Sequence, residues 1–199
     1  LMVIWGGYNG GSTLYSTGGR YDPATDSWTA TAAGGAPTAR YGHTAVWDST
    51  NSQMIVWGGF NGTTYVNSGA KYDVAGNAWT AMTTTAAPTG RFNHSAIWDP
   101  TNQRFIVWGG YDTTTAYVKT GGRYDPTGDA WTSTTTVGAP TGRDRHTAVW
   151  NTATARMLVW GGHSASGTST NVGGIYNPAT DSWTSMTATN APTARYDHT

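Results

Sequence analysis

The stretch HTAVWDSTNSQMIVWGG, residues 43–59, contains two short apolar runs that are separated by a polar turn and closed by two glycines. Runs of this length are typical of strands, and the poor alternation of QMIVW (53–57) indicates a strand that is buried on both faces. Residues 48–51 are turn formers, and a glycine pair at a strand end permits positive φ or close backbone approach. The stretch therefore predicts an antiparallel pair of strands.

The same phrase returns at a fixed period along the chain. Trp-Gly-Gly begins at Trp5, Trp57, Trp108 and Trp160, in steps of 52, 51 and 52 residues. Three further series keep the same register: Trp28, Trp79, Trp131 and Trp183; Arg40, Arg91, Arg143 and Arg195; and His43, His94, His146 and His198. A fixed period of this length predicts a repeated supersecondary unit.

Each unit contains signals for four strands. After the two glycines comes a polar loop, then GAKYD (69–73), which an Asp-containing turn closes, and then AWTAM (78–82). A long connection, TTTAAPTGR in the second unit, leads to the next first strand. The chain is thus expected to form one region, 1–199, made of units 1–39 (without a first strand), 40–90, 91–142 and 143–194, with 195–199 as the start of a further unit.

Composition excludes several classes of protein. The 199 residues carry a formal charge of +0 without runs of like charge, so no basic surface for a nucleic acid is expected. The chain has no cysteine for disulfides and no glutamate, and no apolar run approaches the ~20 residues of a membrane span. Abundant Thr, Gly, Trp and Tyr favour strands and turns. The Lys-poor, Glu-free composition favours an extracellular or cell-surface bacterial protein.

The units resemble kelch repeats. The resemblance rests on the period, the glycine pair, Tyr-Asp at residues 21–22, 72–73 and 124–125 (Tyr-Asn at 176–177), a Trp about seven residues later, and Pro-Thr-x-Arg before the next strand. It covers the whole chain and implies an all-β fold, a β-propeller of four-stranded antiparallel blades around a central channel. Kelch propellers usually have six or seven blades.

Four repeats are therefore expected to be part of a larger ring or of a ring that a second copy completes. Thr199 corresponds to Thr44 and Leu1 to Gln53, so the intervening positions match residues 45–52. These positions would carry a twelfth tryptophan, whereas the chain has 11. Closure of four blades by residues 195–199 is the least favoured arrangement, because too little of a strand remains there.

The residues that repeat are interpreted first as structural. The periodic tryptophans are expected to form the core, since large aromatic side chains dominate packing between elements. The periodic arginines are expected to clamp loop carbonyls or a turn Asp. The periodic histidines suggest either a metal site or a structural hydrogen bond. Propeller symmetry would spread them around a ring, and no HxH or HxxxH spacing occurs, so the structural interpretation is preferred.

Function is sought where the repeats differ. The resemblance implies that the loop after Gly-Gly and the loop before the first strand open on one face at the channel mouth. The candidate ligand-binding residues are Tyr8, Phe60, Tyr111 and His163 in the first loop and Tyr41, Phe92 and Arg145 in the second. Aromatic platforms with a few polar groups suit peptides or sugars. Ordinary packing among loop residues is the alternative.

The leading hypothesis is a non-catalytic recognition or scaffold module for a protein or glycan partner. Its alternative is a self-assembling half-propeller that pairs with another copy as a homodimer. An enzyme is the least favoured hypothesis: copper oxidases of related architecture need a Cys joined to a Tyr, and a hydrolytic carboxylate pair would have to come from Asp112, Asp144 or Asp197. No catalytic residue, metal site or cofactor is expected.

Overall fold

The computed structural model describes residues 1–164 and 167–199, and every helix or strand assigned in these ranges is a β-strand. Nothing in these ranges forms a helix long and apolar enough to span a membrane.

The strands follow the repeat. Blade 1 contains β1 (Met2–Trp5), β2 (Gly18–Asp22) and β3 (Ser27–Ala30), and blade 2 contains β4 (Thr44–Asp48), β5 (Gln53–Trp57), β6 (Gly69–Asp73) and β7 (Ala78–Ala81). Next come β8 (Arg91–Phe92), β9 (Ser95–Asp99), β10 (Arg104–Trp108), β11 (Tyr111–Asp112), β12 (Ala116–Tyr117), β13 (Gly121–Asp125) and β14 (Ala130–Ser133). Last are β15 (Arg143–Asp144), β16 (Thr147–Asn151), β17 (Arg156–Trp160), β18 (His163–Ser164), β19 (Gly173–Asn177) and β20 (Ser182–Ser185).

The blades are antiparallel meanders. Blade 2 has the order β4-β5-β6-β7, blade 3 the order β9-β10-β13-β14, and blade 4 the order β16-β17-β19-β20. The register is the same in each: Thr44 pairs with Trp57 and Tyr72 with Trp79 in blade 2, for example. The first strands of neighbouring blades contact each other, β4 with β9 and β9 with β16, so they form the inner edge. These features confirm the expected all-β architecture of kelch-type propeller blades.

Blade 1 has three strands, in the order β1-β2-β3, and the described sheets do not close into a ring. Residues 195–199 pair with none of these three strands. Instead, the His198 ring lies 5.0 Å from Trp160, and its Nε2 lies 3.0 Å from Thr147 Oγ1. The four-bladed closure, which was the least favoured arrangement, is therefore not formed.

The core consists of three apolar clusters, one at each junction between neighbouring blades. Blades 1 and 2 share the cluster around Trp5, Met54, Val56, Tyr72 and Trp79. Blades 2 and 3 share Ile55, Trp57, Trp98, Phe105 and Trp131, and blades 3 and 4 share Ile97, Trp108, Met157, Val159 and Trp183. Blades 2 and 3 thus contribute apolar side chains to both of their faces, as expected for strands whose sequence is apolar throughout.

The expectation that the periodic tryptophans are buried is wrong for Trp28 and for Trp47, which belongs to a third tryptophan series in the same register, Trp47, Trp98 and Trp150. Trp28 is 54% exposed and Trp47 is 48% exposed, whereas Trp79, Trp131 and Trp183 are at most 8% exposed. Trp79 is buried because it packs against the preceding blade, and no described blade precedes Trp28. Trp47 lines an apolar groove of about 640 Å³ beside Leu1 and Val3, where blade 1 has no fourth strand.

Three of the four periodic arginines, Arg40, Arg91 and Arg143, form the expected clamp on loop carbonyls, whereas Arg195 is exposed and donates to Thr193. Arg91 is fully buried and donates all five of its N–H groups: Nε to Thr89 O, Nη1 to Gly109 O and Thr120 O, and Nη2 to the hydroxyls of Thr89 and Thr120. Burial lowers the pKa of Arg91 to about 10, against a smaller opposing effect of Asp112, so it stays charged at neutral pH. The clamp joins the two ends of the loop that follows Gly-Gly.

Three of the four periodic histidines, His94, His146 and His198, join neighbouring first strands. Nε2 of His94 lies 2.9 Å from Thr44 Oγ1, and Nε2 of His146 lies 2.7 Å from Ser95 Oγ. Each ring also lies edge-on to a Gly-Gly tryptophan, at 5.2 Å from Trp57 for His94. The structural hydrogen bond is thus confirmed. In the described residues no group of three or more His, Asp or Glu side chains could hold a metal ion.

Candidate functional site

The loop after Gly-Gly folds back onto the segment that leads into the first strand of the same blade. In blade 2, Phe60 N donates to Tyr41 O (2.8 Å) and Tyr41 N donates to Phe60 O (3.1 Å). The equivalent pairs are Tyr111 with Phe92 in blade 3 and His163 with Asp144 in blade 4. Gly59 has φ +96°, and a Cβ there would lie 2.7 Å from Tyr41 O, which explains why glycine precedes Phe60.

The returning arm of each loop brings a further side chain beside the first. Tyr8 pairs with Leu14, Phe60 with Tyr65, Tyr111 with Tyr117, and His163 with Ser169. Sequence reasoning missed Tyr65 and Tyr117 as site residues. A usable signal exists, because Tyr-Val precedes the third strand by the same distance at 65–66 and at 117–118.

Nine rings form one continuous series across all four blades, which we call the aromatic strip. Its members are Tyr8, Tyr41, Phe60, Tyr65, Phe92, Tyr111, Tyr117, His163 and Tyr196, and consecutive ring centroids lie 4.7 to 5.9 Å apart. Most pairs are tilted or edge-on, the geometry that aromatic quadrupoles favour, whereas Tyr65 and Phe92 are stacked with an interplanar angle of 4°. The rings therefore pack against one another along the whole series.

The strip is partly open to solvent. Tyr8 is 53% exposed and Tyr196 is 45% exposed, and these are the two ends of the series. Phe60, Phe92 and Tyr111 between them are half-buried. The structure thus brings six of the seven predicted site residues into a single surface, and the seventh, Arg145, lies over one end of it.

The end of the strip on blade 4 is polar. The Arg145 guanidinium lies 5.7 Å from the Tyr196 ring centroid, and its nitrogens lie 3.5 Å from an Asp144 carboxylate oxygen and 3.4 Å from one of Asp197. Asp144 is buried, and this burial raises its pKa although Asn93 and Arg145 oppose the shift. His163 Nδ1 lies 3.9 Å from the same carboxylate. Blade 4 therefore places a buried carboxylate where blades 2 and 3 have aromatic rings.

A second buried carboxylate, Asp112, belongs to the loop itself. It accepts hydrogen bonds from the backbone N–H groups of Thr114 and Thr115 and from the Thr89 hydroxyl, at 2.7 to 3.0 Å. Burial alone would raise the pKa of Asp112, but these hydrogen bonds together lower it. Its carboxylate oxygens are therefore occupied in shaping the loop that presents Tyr111 and Tyr117.

A row of backbone hydrogen bonds connects the blades beneath the strip. Asp197 N donates to Arg145 O, Arg145 N to Asn93 O, and Asn93 N to Gly42 O, at 3.0 to 3.1 Å. All four residues have φ between 53° and 64°, the left-handed region. The row fixes the spacing between the loops of successive blades, so the strip is presented by a connected backbone.

The comparison with protein families agrees with this architecture. A family profile described as the KLHDC2/KLHL20/DRC7 Kelch-repeats domain matches residues 1–139. No curated protein matches the chain. The chain belongs to the kelch-repeat family, whose domains generally mediate protein–protein interaction and are typically non-enzymatic.

Proposed function

We propose that this chain is a non-catalytic recognition module that binds a segment of a partner protein across the aromatic strip. The observation that carries the proposal is the unbroken series of nine rings that crosses four blades on one face. Aromatic side chains with few rotatable bonds are the commonest anchors of protein interfaces. Packed against each other, these rings give a surface that is already formed before a partner arrives.

The polar end of the strip supports recognition more than catalysis. A hydrolytic pair needs two carboxylates that converge on one bond. Asp144 and Asp197 instead both contact Arg145, which lies between them. Exposed Arg145 and half-buried His163 can donate hydrogen bonds that fix the register of a bound segment.

A peptide partner is proposed ahead of a glycan because of how the rings are arranged. Sugars bind by stacking on exposed ring faces, whereas most rings of the strip meet a neighbouring ring edge-on or tilted and are half-buried. Apolar and aromatic side chains of a peptide can fill the grooves between such rings. A glycan partner is the competing outcome in the test.

The test begins with selection of binders from a random peptide library and from a glycan array, using the 199-residue chain as bait. A selected peptide is then titrated by calorimetry against Tyr8→Ala, Phe92→Ala and the matched control Tyr15→Ala. Tyr15 is also exposed, at 39%, but it makes no ring contact with the strip. Loss of one anchor should raise Kd about 30-fold, equivalent to about 2 kcal/mol.

The control Tyr15→Ala should leave Kd within about twofold. If only glycans are selected, the partner is a glycan and not a peptide. Equal Kd values for Phe92→Ala and Tyr15→Ala would contradict the aromatic strip as the binding surface. Far-UV circular dichroism on each variant separates lost binding from lost folding.

Self-assembly of the blades is a second candidate function. The observation that favours it is the exposure of Trp28, because the equivalent Trp79, Trp131 and Trp183 are buried at junctions between blades. An exposed face of this kind is typical of a site where another blade packs.

A further inference from the structure

The three junctions between blades are held by the same pair of hydrogen bonds, which we call the junction lock. At the first junction Ala32 N donates to Asn77 Oδ1 (2.8 Å), and Trp79 Nε1 donates to Ala32 O (3.0 Å). At the second junction, Thr83 N donates to Asp129 Oδ1 and Trp131 Nε1 donates to Thr83 O. At the third junction, Thr135 makes the same two bonds with Asp181 and Trp183, and all four distances are 3.0 to 3.2 Å.

Each lock also includes contact between two indole rings. The ring centroids of Trp79 and Trp5 lie 5.5 Å apart, those of Trp131 and Trp57 5.4 Å, and those of Trp183 and Trp108 5.2 Å. The lock therefore has a direction. One blade supplies an Asn or Asp and a tryptophan, and the preceding blade supplies a backbone amide, a carbonyl and the Gly-Gly tryptophan.

Blade 1 presents the side-chain half of a fourth lock. Tyr21 Oη donates to Asp26 Oδ1 at 2.7 Å, just as Tyr72 Oη donates to Asn77 Oδ1 at 2.6 Å. Trp28 packs on Tyr21 at 5.1 Å, as Trp79 packs on Tyr72 at 4.8 Å. Asp26 and Trp28 therefore have the same conformation as Asn77 and Trp79, which form the lock of the first junction. Among the described residues, however, Trp28 contacts no other blade.

Blade 4 presents the backbone half. Thr187 occupies the position in blade 4 that Ala32, Thr83 and Thr135 occupy in blades 1 to 3. The residue before it makes the same backbone hydrogen bond: Met186 N donates to Gly173 O at 3.2 Å, as Thr31 N donates to Gly18 O at 3.1 Å. Thr187 is exposed, and Trp160 is the Gly-Gly tryptophan of this blade. The two flanks of the row of blades are therefore complementary to each other and differ in chemistry.

We infer that two copies of this chain join head to tail, with Asp26 and Trp28 of one copy locking onto Thr187 and Trp160 of the other. The inference rests on self-assembly as the second candidate function. The two flanks differ, so each contact joins unlike surfaces, and two such contacts related by a twofold axis close a dimer of eight blades. Eight blades lie within the range of ~4–8 that propellers adopt.

One contact of the native junctions is absent from this joint. Arg20, Lys71 and Arg123 each donate to a carbonyl of the following blade, at Val74, Pro126 and Pro178. Blade 4 has Ile175 at that position, so the joint keeps the lock and the indole contact but lacks the cationic bridge. Pairing between copies is therefore weaker than the junctions within the chain and should depend on protein concentration.

The first measurement is the solution mass of the 199-residue chain by light scattering over a range of concentrations. The expected result is a species of twice the 21.0 kDa chain mass that dissociates on dilution. The variant Trp28→Glu should run as a monomer, because it places a charge against Trp160. Thr29→Glu, an exposed position on the same strand, is the matched control and should remain a dimer. A wild-type monomer at all concentrations, or a dimer in Trp28→Glu, would overturn the inference.

A second measurement does not depend on the folding of Trp28→Glu. The chain has no cysteine, so the double variant Asp26→Cys/Thr187→Cys carries only the two thiols of the proposed joint. Oxidation should give a disulfide between copies on a non-reducing gel, whereas Ala32→Cys/Asn77→Cys should give one within the chain. Absence of the first with formation of the second also overturns the inference. Neither result bears on peptide binding, since no residue of the aromatic strip takes part in the lock.

Discussion

The replacement Trp79→Ala should be among the most destabilising single changes in this chain. Trp79 is 8% exposed, lies 5.5 Å from Trp5 in the preceding blade, and donates Nε1 to Ala32 O. A buried tryptophan removes about 200 Å² from water, worth about 5 kcal/mol at 25 cal/mol per Å², and alanine retains part of this. Loss of the indole should cost about 3–5 kcal/mol, including the orphaned carbonyl.

The assay is urea unfolding monitored by far-UV circular dichroism, with Trp47→Ala as the matched control. Trp47 is 48% exposed, so its loss should cost less than about 1 kcal/mol. For a chain of this size the cost of about 3–5 kcal/mol lowers Tm by roughly 6–20 °C. Hydrogen exchange should rise in β1 and β7 and stay unchanged around Trp108 and Trp183, because blades couple to nearest neighbours. Equal stability of the two variants would refute the assignment of Trp79 to the junction.

Two further changes test the polar contacts. Arg91→Met should lower the free energy of unfolding by about 2–4 kcal/mol, because it leaves the buried carbonyl of Gly109 without a donor and leaves Thr120 O with only the Gly109 N–H; an unchanged urea midpoint would contradict the clamp. Burial lowers the pKa of His43 to about 4 and that of His146 to about 3, so folding is favoured by the neutral ring, and stability should fall as pH drops from 6.5 toward these values. At pH 5 each ring should lower the free energy of unfolding by about 2 kcal/mol. The urea midpoint of His146→Gln should therefore fall less between pH 7 and pH 5 than that of the wild type. An equal fall in the two proteins would disprove the effect.

The four main strands of a blade could be predicted from sequence to within about one residue because each carries its own local signal, whereas the two-residue strands β8, β11, β12, β15 and β18 were not predicted. QMIVW and GAKYD coincide with β5 and β6, since an apolar run fixes the first and the turn Asp fixes the end of the second. Asp48 was placed in the turn but lies in β4, from which its carboxylate accepts the N–H groups of Thr50 and Asn51. One side chain thus serves both the strand and the turn, which a pattern of residue types cannot show.

Exposure could not be predicted from the repeat. Trp28 and Trp79 occupy the same position in their units, yet one is exposed and the other is buried. A repeat transfers the local conformation from unit to unit, as the matching Tyr21–Asp26 and Tyr72–Asn77 hydrogen bonds demonstrate. The repeat does not determine whether a residue is buried, because burial here depends on contact with a blade that another unit forms.

Tyr65 and Tyr117 were missed for a different reason. Counted forward from Gly-Gly they fall at different offsets, because the loop from Gly59 to Gly69 is one residue shorter than that from Gly110 to Gly121. The structure absorbs the extra residue at the loop tip and keeps each tyrosine at the same place before the third strand. Position relative to the strand that follows is therefore the better predictor for the returning arm of a hairpin loop.

The polar end of the aromatic strip gives the proposed partner a direction. Blades 2 and 3 have an aromatic residue, Tyr41 or Phe92, just before the first strand. Blade 4 has the buried Asp144 at the same position, in contact with Arg145. Apolar side chains of a bound segment gain most over blades 1 to 3, and hydrogen-bonding groups gain most over blade 4, so the reversed orientation would leave polar groups unpaired. A selected peptide with its residue order inverted should therefore bind at least about tenfold more weakly, by calorimetry, than the original. Equal affinity for both orders would mean that the strip acts as an unspecific apolar surface.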